Sequence, residues 1–315
     1  MPRHAPSMKA PELFVRRGTM LAMSDAPVTP QSLHAAARAA QRTGNARALE
    51  SIARELIAHA QNAGDDEHLA LGHYYLGSAH FWRNDGRAAQ ASYETALALY
   101  TQAKDKAGIA RVRIGMAAVA VDIDLHVDKG HALYEQALPI VRELDDKTFL
   151  AVTLGNLAEV CRLEGAYDPA MRYAAESAAL YAQLGRLAQA GGQLATIAHI
   201  HALRRDYSDA IARMREAWEY FAGESSPRYL AWYFDIWFLI AAGMRRWETA
   251  ARLLGFLNRY RDENNARRLQ GILPWFSSPV ERLSEQLGAQ RAQELILEGQ
   301  QLTVESAQDL VEKVR

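Results

Sequence analysis

The amino-acid sequence predicts an all-α protein, a right-handed α-α superhelix of about six helical hairpins followed by a C-terminal capping region. Three observations predict this fold class: a small residue recurs about every 40 residues, each unit holds two helical patterns, and polar turns separate the units. The composition agrees, because 49% of the 315 residues are hydrophobic and only 23% are charged. Such a chain has ample apolar surface to bury.

The recurring small residue is the main signal of a repeat. It is found, with steps of 41, 41, 40, 40 and 40 residues, at Ala48, Ala89, Gly130, Ala170, Ala210 and Ala250. An aromatic residue precedes it by three positions in the last three units, at Tyr167, Tyr207 and Trp247. A small side chain at a fixed place in each unit allows two helices to approach closely. The period predicts helical repeats over residues 30–262.

The unit around Gly165 shows how each hairpin is built. Helical patterns cover residues 154–163 and 169–184, with Gly165 and Tyr167 between them. A glycine adopts the left-handed conformation that ends a helix, and we expect the aromatic ring to fill the corner. Polar breaks with the chemistry of turns between units lie at Asn62–Asp66, Lys104–Lys106, Asp145–Lys147 and Gly223–Pro227.

The two ends of the chain differ from the repeats. Residues 1–29 interrupt their apolar run with Arg16, Arg17 and Asp25, which excludes a secretory signal segment and predicts a flexible tail. The longest apolar stretch, residues 232–244, is too short to span a membrane.

Residues 263–315 are predicted to form a C-terminal helical cap on the repeats. Thr303 is a plausible N-cap for a final helix, with Ala307, Leu310 and Val311 facing inward.

Charge and cysteine content narrow the possible partners and the compartment. The formal net charge is -1, which gives no basic field for nucleic acid or for anionic lipid. The single cysteine, Cys161, is typical of a chain kept in a reducing compartment. We therefore expect a cytoplasmic protein that binds neither nucleic acid nor membrane.

The turn motif resembles that of a known repeat family. The segment NLAEVCRLEGAYDPA, residues 156–170, resembles the tetratricopeptide pattern, with a Leu-small pair, a Gly-x-aromatic turn and an alanine. Residues 197–217 and 237–257 are similar. The period exceeds the 34 residues usual for that family and overlaps the HEAT range, but the Gly-x-aromatic-x-x-Ala corner favours the tetratricopeptide interpretation. The longer unit resembles kinesin-light-chain-type repeats and the sensor arms of large bacterial regulators.

Short segments in the last third sharpen this resemblance. They are residues 250–255, 278–282, 287–289, 298–300 and 302–307. Their order resembles the end of the C-terminal helical-repeat arm of bacterial signal-transducing ATPase regulators, including LuxR-type ones. The sequence contains neither the Gly-x-x-x-x-Gly-Lys-Ser/Thr phosphate loop nor a recognisable helix-turn-helix module. The resemblance thus implies the arm without the ATPase or the DNA-binding domain.

Motifs for chemistry are weak throughout the sequence. His199 and His201 point to different faces of a helix, so they do not form a metal-binding pair. Residues 122–130 resemble a calcium loop but lack its glycine and its final glutamate, so a solvated turn with extra residues is favoured. Cys161 shares the packing side of its helix with Leu157 and is interpreted as a buried hydrophobe. We expect no metal, no cofactor and no enzymatic activity.

The expected functional surface is the concave face of the superhelix, which the first helix of each hairpin lines in the tetratricopeptide register. The residues placed there are Tyr75, Ser78, Trp82, Arg113, Met116, Asn156, Glu159, Thr196, His199, Trp232 and Asp235. The resemblance implies that Asn156 holds the backbone of a ligand.

Two functions are compatible with this surface. The first is a protein-interaction scaffold whose groove holds a peptide or helix of a partner protein. The alternative is a stand-alone ligand-sensing arm of a bacterial transcriptional regulator that binds a small metabolite or peptide as effector. For the oligomeric state we expect a monomer or a dimer.

Overall fold

The computed structural model describes residues 29–221, 227–264, 266 and 273–314. The predicted tail, residues 1–29, lies outside the described residues apart from Thr29, and so does the predicted turn Gly223–Pro227 apart from Pro227. Fifteen α-helices and no strand occupy the described ranges. In chain order, α1 to α15 are Pro30–Thr43, Ala46–Ala63, Asp66–Trp82, Gly86–Gln102, Lys106–Asp122, Val127–Glu143, Lys147–Leu163, Tyr167–Gln183, Leu187–Leu203, Tyr207–Phe221, Pro227–Gly243, Trp247–Asn264, Leu273–Leu287, Ala289–Gly299 and Val304–Glu312.

Helix length explains the period of 40 residues. The helices α3 to α9 are each 17 residues long. Most of the turns that separate them contain three residues, so one unit consists of two such helices and two such turns. The predicted helical hairpins are therefore confirmed, with helices longer than a 34-residue unit allows.

The recurring small residue is the fourth residue of each second helix, where it faces the core. Ala89, Ala170 and Ala210 are completely buried there. In the first hairpin the equivalent residue is the buried Leu49 rather than Ala48, so the first step is 40. The remaining 41-residue step comes from the turn between α5 and α6, which has one additional residue rather than several.

Most of the turns share one backbone conformation. In six of the seven three-residue turns, the middle residue has a positive φ, between 56° and 77°. Glycine fills this place at Gly165, as predicted, and at Gly185, but Asn84, Arg205 and Arg245 adopt the same conformation. The left-handed geometry is thus a property of the hairpin, and a glycine merely lowers its cost.

Aspartate residues start several helices. The carboxylates of Asp65, Asp85, Asp105 and Asp146 each accept a hydrogen bond from the backbone N–H three residues later, at 2.9 to 3.1 Å. Such an N-cap satisfies one of the free donors of a first turn and stabilises the helix by about 1 kcal/mol.

The helices stack in a continuous solenoid. From α1 to α14, each helix packs against the next along the chain. The first helices of successive hairpins also contact each other in the pairs α1–α3, α3–α5, α7–α9 and α9–α11. Because the first helices approach one another, they form the inner, concave face, and the second helices form the convex face.

The C-terminal helices α13 to α15 close the stack against α11 and α12. Thr303 is the N-cap of α15 and accepts a hydrogen bond from the backbone N–H of Ser306. Ala307 and Val311 are buried, and Leu310 packs at the edge of the same core, as predicted. The boundary predicted at residue 262 falls in the last turn of α12, and one hydrophobic core continues across it.

The backbones of α12 and α14 are in direct contact where they cross. A Cβ atom on Gly299 would lie 2.0 Å from the carbonyl oxygen of Arg252, and one on Gly255 would lie 2.0 Å from that of Ile296. The two glycines therefore determine how closely the cap approaches the last hairpin.

Candidate binding groove

Five of the residues predicted for the groove are accessible to solvent. Trp82 is 37% exposed at the end of α3, and the other four side chains are half-buried. We refer to Trp82, Arg113, Met116, Asn156 and Glu159 as the central strip; they lie on α3, α5 and α7. The strip combines an aromatic ring, a thioether, an amide and both signs of charge.

The two other residues predicted from α3 lie in the core. Tyr75 is 3% exposed, and its ring packs beside that of Tyr74 with the centroids 5.3 Å apart. The Ser78 hydroxyl is 3.1 Å from the hydroxyl of the buried Tyr93 and accepts a hydrogen bond from the Gln41 amide. Because both side chains are buried inside the stack, neither is available to a ligand in this structure.

The C-terminal half of the concave face is covered by the chain itself. Thr196, His199, Trp232 and Asp235, which the sequence placed in the groove, are all buried. Two contacts show why these are core positions: the Trp275 ring of α13 packs on His199, and Arg261 of α12 pairs with Asp235. Sequence phasing could not show that α13 returns to this part of the chain.

Two aromatic residues at the start of α13 pack over the first helices of the C-terminal hairpins. The Phe276 ring packs on Phe238 of α11 with a centroid distance of 4.3 Å. The Trp275 ring meets the edge of His199 of α9 at 5.7 Å and lies 4.7 Å from the guanidinium carbon of Arg162 of α7. The first turn of α13 therefore reaches three successive first helices.

Arg162 is a charged residue that the sequence interpretation missed. Its side chain is fully buried, and its Nε donates a hydrogen bond of 2.8 Å to the carboxylate of Glu159, which is about one-third exposed. A buried guanidinium needs such a partner because its desolvation is costly. Glu159 thus both faces the groove and neutralises Arg162.

The buried Asp235 is likewise structural. Its carboxylate pairs with the guanidinium of Arg261, which is itself only 11% exposed. Asp235 is on α11 and Arg261 on α12, so the ion pair joins the two helices of the last hairpin.

Asp122, at the end of α5, is a further groove residue that phasing missed. Its side chain is accessible to solvent, and the Glu159 carboxylate is close enough to influence it. Loss of hydration, assisted by the negative charge of Glu159, raises the pKa of Asp122 to about 6, and Arg228 of α11 opposes this.

The raised pKa of Asp122 predicts a pH-dependent stability. An ordinary aspartate has a pKa near 3.9, so the folded protein binds more protons than the unfolded chain between about pH 4 and 6. Stability therefore falls as the pH rises through this window. Asp122→Asn is expected to stabilise the protein at pH 7 by less than about 1 kcal/mol, since solvent screens the exposed carboxylate.

Thermal unfolding of wild type and Asp122→Asn between pH 4 and 8 measures this effect. The advantage of the variant is expected to shrink below pH 6 and to vanish near pH 4. Asp124→Asn, an exposed change in the adjoining turn, is the control. An advantage that is as large at pH 4 as at pH 7 would contradict the assignment.

Three further observations on the described part of the chain concern metal ligands, membrane-spanning helices and the single cysteine. Its histidine, cysteine and acidic side chains form no group of three or more that could hold a metal ion. None of its helices is both long enough and apolar enough to cross a membrane. Cys161 is buried, as predicted, and burial raises the pKa of its thiol to about 11.

Comparison with known proteins places this geometry in a structural class. No model of a protein family matches the sequence, and no curated protein of similar sequence is found. Solved structures do match. A Rap protein complexed with Competence and Sporulation Factor is 14% identical with a TM-score of 0.58, over 82% of this chain and 76% of that one. The fold is a tetratricopeptide-like helical-repeat solenoid.

Two further structures support the same fold. The apo form of RapI is 13% identical with a TM-score of 0.58, over 84% of this chain and 98% of RapI. BtubC (BKLC) from P. vanneervenii is 18% identical with a TM-score of 0.54, over 77% of this chain and 94% of BtubC. At such low identities the similarity establishes the helical-repeat architecture and not a shared activity.

Proposed function

We propose that this protein is a protein-interaction scaffold that holds an extended segment or a helix of a partner protein in the concave groove. The observation that carries the proposal is the central strip, which stays accessible while α13 packs on α11 at the C-terminal end of the solenoid.

The chemistry of the strip suits a peptide backbone with a few side-chain anchors. Trp82 and Met116 offer apolar contact, and Arg113 offers a charge-assisted donor. Asn156 can pair with both a backbone N–H and a backbone C=O, as its resemblance to the tetratricopeptide position implies.

A second candidate function is a ligand-sensing arm of a bacterial regulator. One observation favours it: a Rap protein of similar fold has been solved in complex with Competence and Sporulation Factor. The segments that resemble the arms of LuxR-type regulators are consistent with this alternative. In this case the groove would bind an effector, and a separate protein would read the change of shape.

Site-specific photo-crosslinking in the native host tests the first proposal. A benzoylphenylalanine replaces Met116 in the strip, and the control carries it at Thr95, which is exposed on α4. We expect one protein to crosslink at position 116 only, through one contiguous segment that mass spectrometry can identify. Equal crosslinking at both positions would contradict a groove site.

Charge reversal gives an independent readout of the same contact. Arg113→Glu combined with Asn156→Ala is expected to abolish the crosslink and to leave the melting temperature nearly unchanged. Arg87→Glu on the second helix α4 is the matched charge reversal. Recovery of a small molecule from the wild type, with no crosslinked protein, would instead favour the sensing arm.

A further inference from the structure

A small pocket lies at one edge of the solenoid, where the last two repeat hairpins meet α13. Its volume is about 150 Å³. The walls come from the end of α9, the start of α10, the end of α11 and the start of α12, and α13 closes the remaining side. This pocket is separate from the central strip, which lies on α3, α5 and α7.

The walls of the pocket are mainly aromatic. Tyr207, Trp247 and Trp275 line it, together with smaller apolar residues such as Leu239 and Ala242. Flat aromatic walls favour a flat ring, because offset stacking and edge contacts add to the burial of apolar area. Cavities of about 150 Å³ are large enough for one benzene-sized ring.

The pocket also contains a polar group without a partner. His199 lines it and is fully buried, and neither ring nitrogen has a hydrogen-bond partner among the described residues. Desolvation and the charge of Arg162 lower the pKa of His199 well below its ordinary value, so the imidazole is neutral. A neutral imidazole offers one donor and one acceptor. A buried polar group left in this state costs free energy that a ligand hydroxyl can recover.

A cationic side chain stands at the open side. Arg282 is exposed, and its guanidinium lies 5.2 Å from the centre of the Trp247 ring. It makes no ion pair with any carboxylate of the described residues. Its charge therefore favours an anionic group at the mouth of the pocket and disfavours a cation.

We propose that this pocket binds a small aromatic carboxylic acid with a single ring. The ring lies between Trp247 and Trp275, the carboxylate pairs with Arg282, and a hydroxyl on the far side of the ring hydrogen-bonds His199. The site is distinct from the proposed protein-binding groove, so each can fail without the other.

Titration of the full chain with benzoate and 4-hydroxybenzoate tests the site, with tryptophan fluorescence and calorimetry as readouts. We expect both acids to bind, with 4-hydroxybenzoate about tenfold tighter because it reaches His199. Benzyl alcohol is expected to bind about tenfold more weakly than benzoate, and benzylamine more weakly still. Absence of benzoate binding at a concentration of about 10 mM would overturn the proposal, since even weak fragments bind at that level.

Three variants assign the contacts. Arg282→Gln is expected to weaken benzoate binding about tenfold and to leave benzyl alcohol unaffected, while Arg205→Gln in the nearby turn changes neither. His199→Phe keeps the packing against Trp232 and Trp275 and removes only the preference for 4-hydroxybenzoate. Ala202→Leu fills the pocket and abolishes binding of both acids. If benzoate binds Ala202→Leu as tightly as it binds wild type, the ligand sits elsewhere and the assignment is wrong.

Discussion

Replacing Gly299 by alanine is expected to destabilise the C-terminal cap by about 3 kcal/mol, the upper end for overpacking. The added methyl group would lie 2.0 Å from the carbonyl oxygen of Arg252, a backbone atom that no side-chain rotation can move away. Helix α14 would have to withdraw from α12 by more than 1 Å. That shift would also stretch the ion pair of Arg252 with Glu298, now 2.8 Å.

Hydrogen exchange followed by mass spectrometry, read segment by segment, measures this loss. In Gly299→Ala we expect faster exchange in α14 and α15, whereas the hairpins α1 to α6 are unchanged because repeats interact mainly with their neighbours. Gln293→Ala, an exposed change on the same helix, is expected to stay within about 0.5 kcal/mol of wild type. If the amides of α14 exchange as slowly in Gly299→Ala as in wild type, the helices α12 and α14 pack less closely than this structure indicates.

The repeat architecture could be predicted from the sequence because it depends on local signals. The alanines at Ala89, Ala170 and Ala210 recur in register with the hairpins, and Gly165 marks a turn that the sequence alone identifies. Each signal acts within one unit, and repetition reinforces it. The turns with Arg205 and Arg245 at the same place carry no such signal, yet the stacked hairpins impose the same geometry.

The groove was predicted less well, because its outline depends on contacts between distant parts of the chain. Arg113 and Asn156, which phasing assigned to the groove, are partly exposed. Phasing placed His199 and Asp235 there too. His199 is covered by Trp275 of α13, and Asp235 is paired with Arg261 within the last hairpin. No local pattern around residue 275 indicates that its tryptophan packs on Arg162, more than a hundred positions earlier.

The second large effect is expected at Asp235. Its carboxylate is fully buried and pairs with the guanidinium of Arg261. Asp235→Ala removes a negative charge from beside a mostly buried positive one, and breaking such a pair from one side costs about 3 kcal/mol or more. A ligand-binding aspartate on an open groove would behave differently, because its removal would leave the free energy of unfolding nearly unchanged.

Chemical denaturation of Asp235→Ala, Glu263→Ala and the double variant Asp235→Ala/Arg261→Met separates these possibilities. Glu263 pairs with Arg259 at 3.7 Å on the surface, so its loss is expected to cost less than about 1 kcal/mol. The double variant is expected to recover much of the stability lost in Asp235→Ala, because it removes the buried charge together with its partner. If Asp235→Ala is as stable as wild type, the ion pair does not stabilise the last hairpin. A role of Asp235 in binding would then have to be tested.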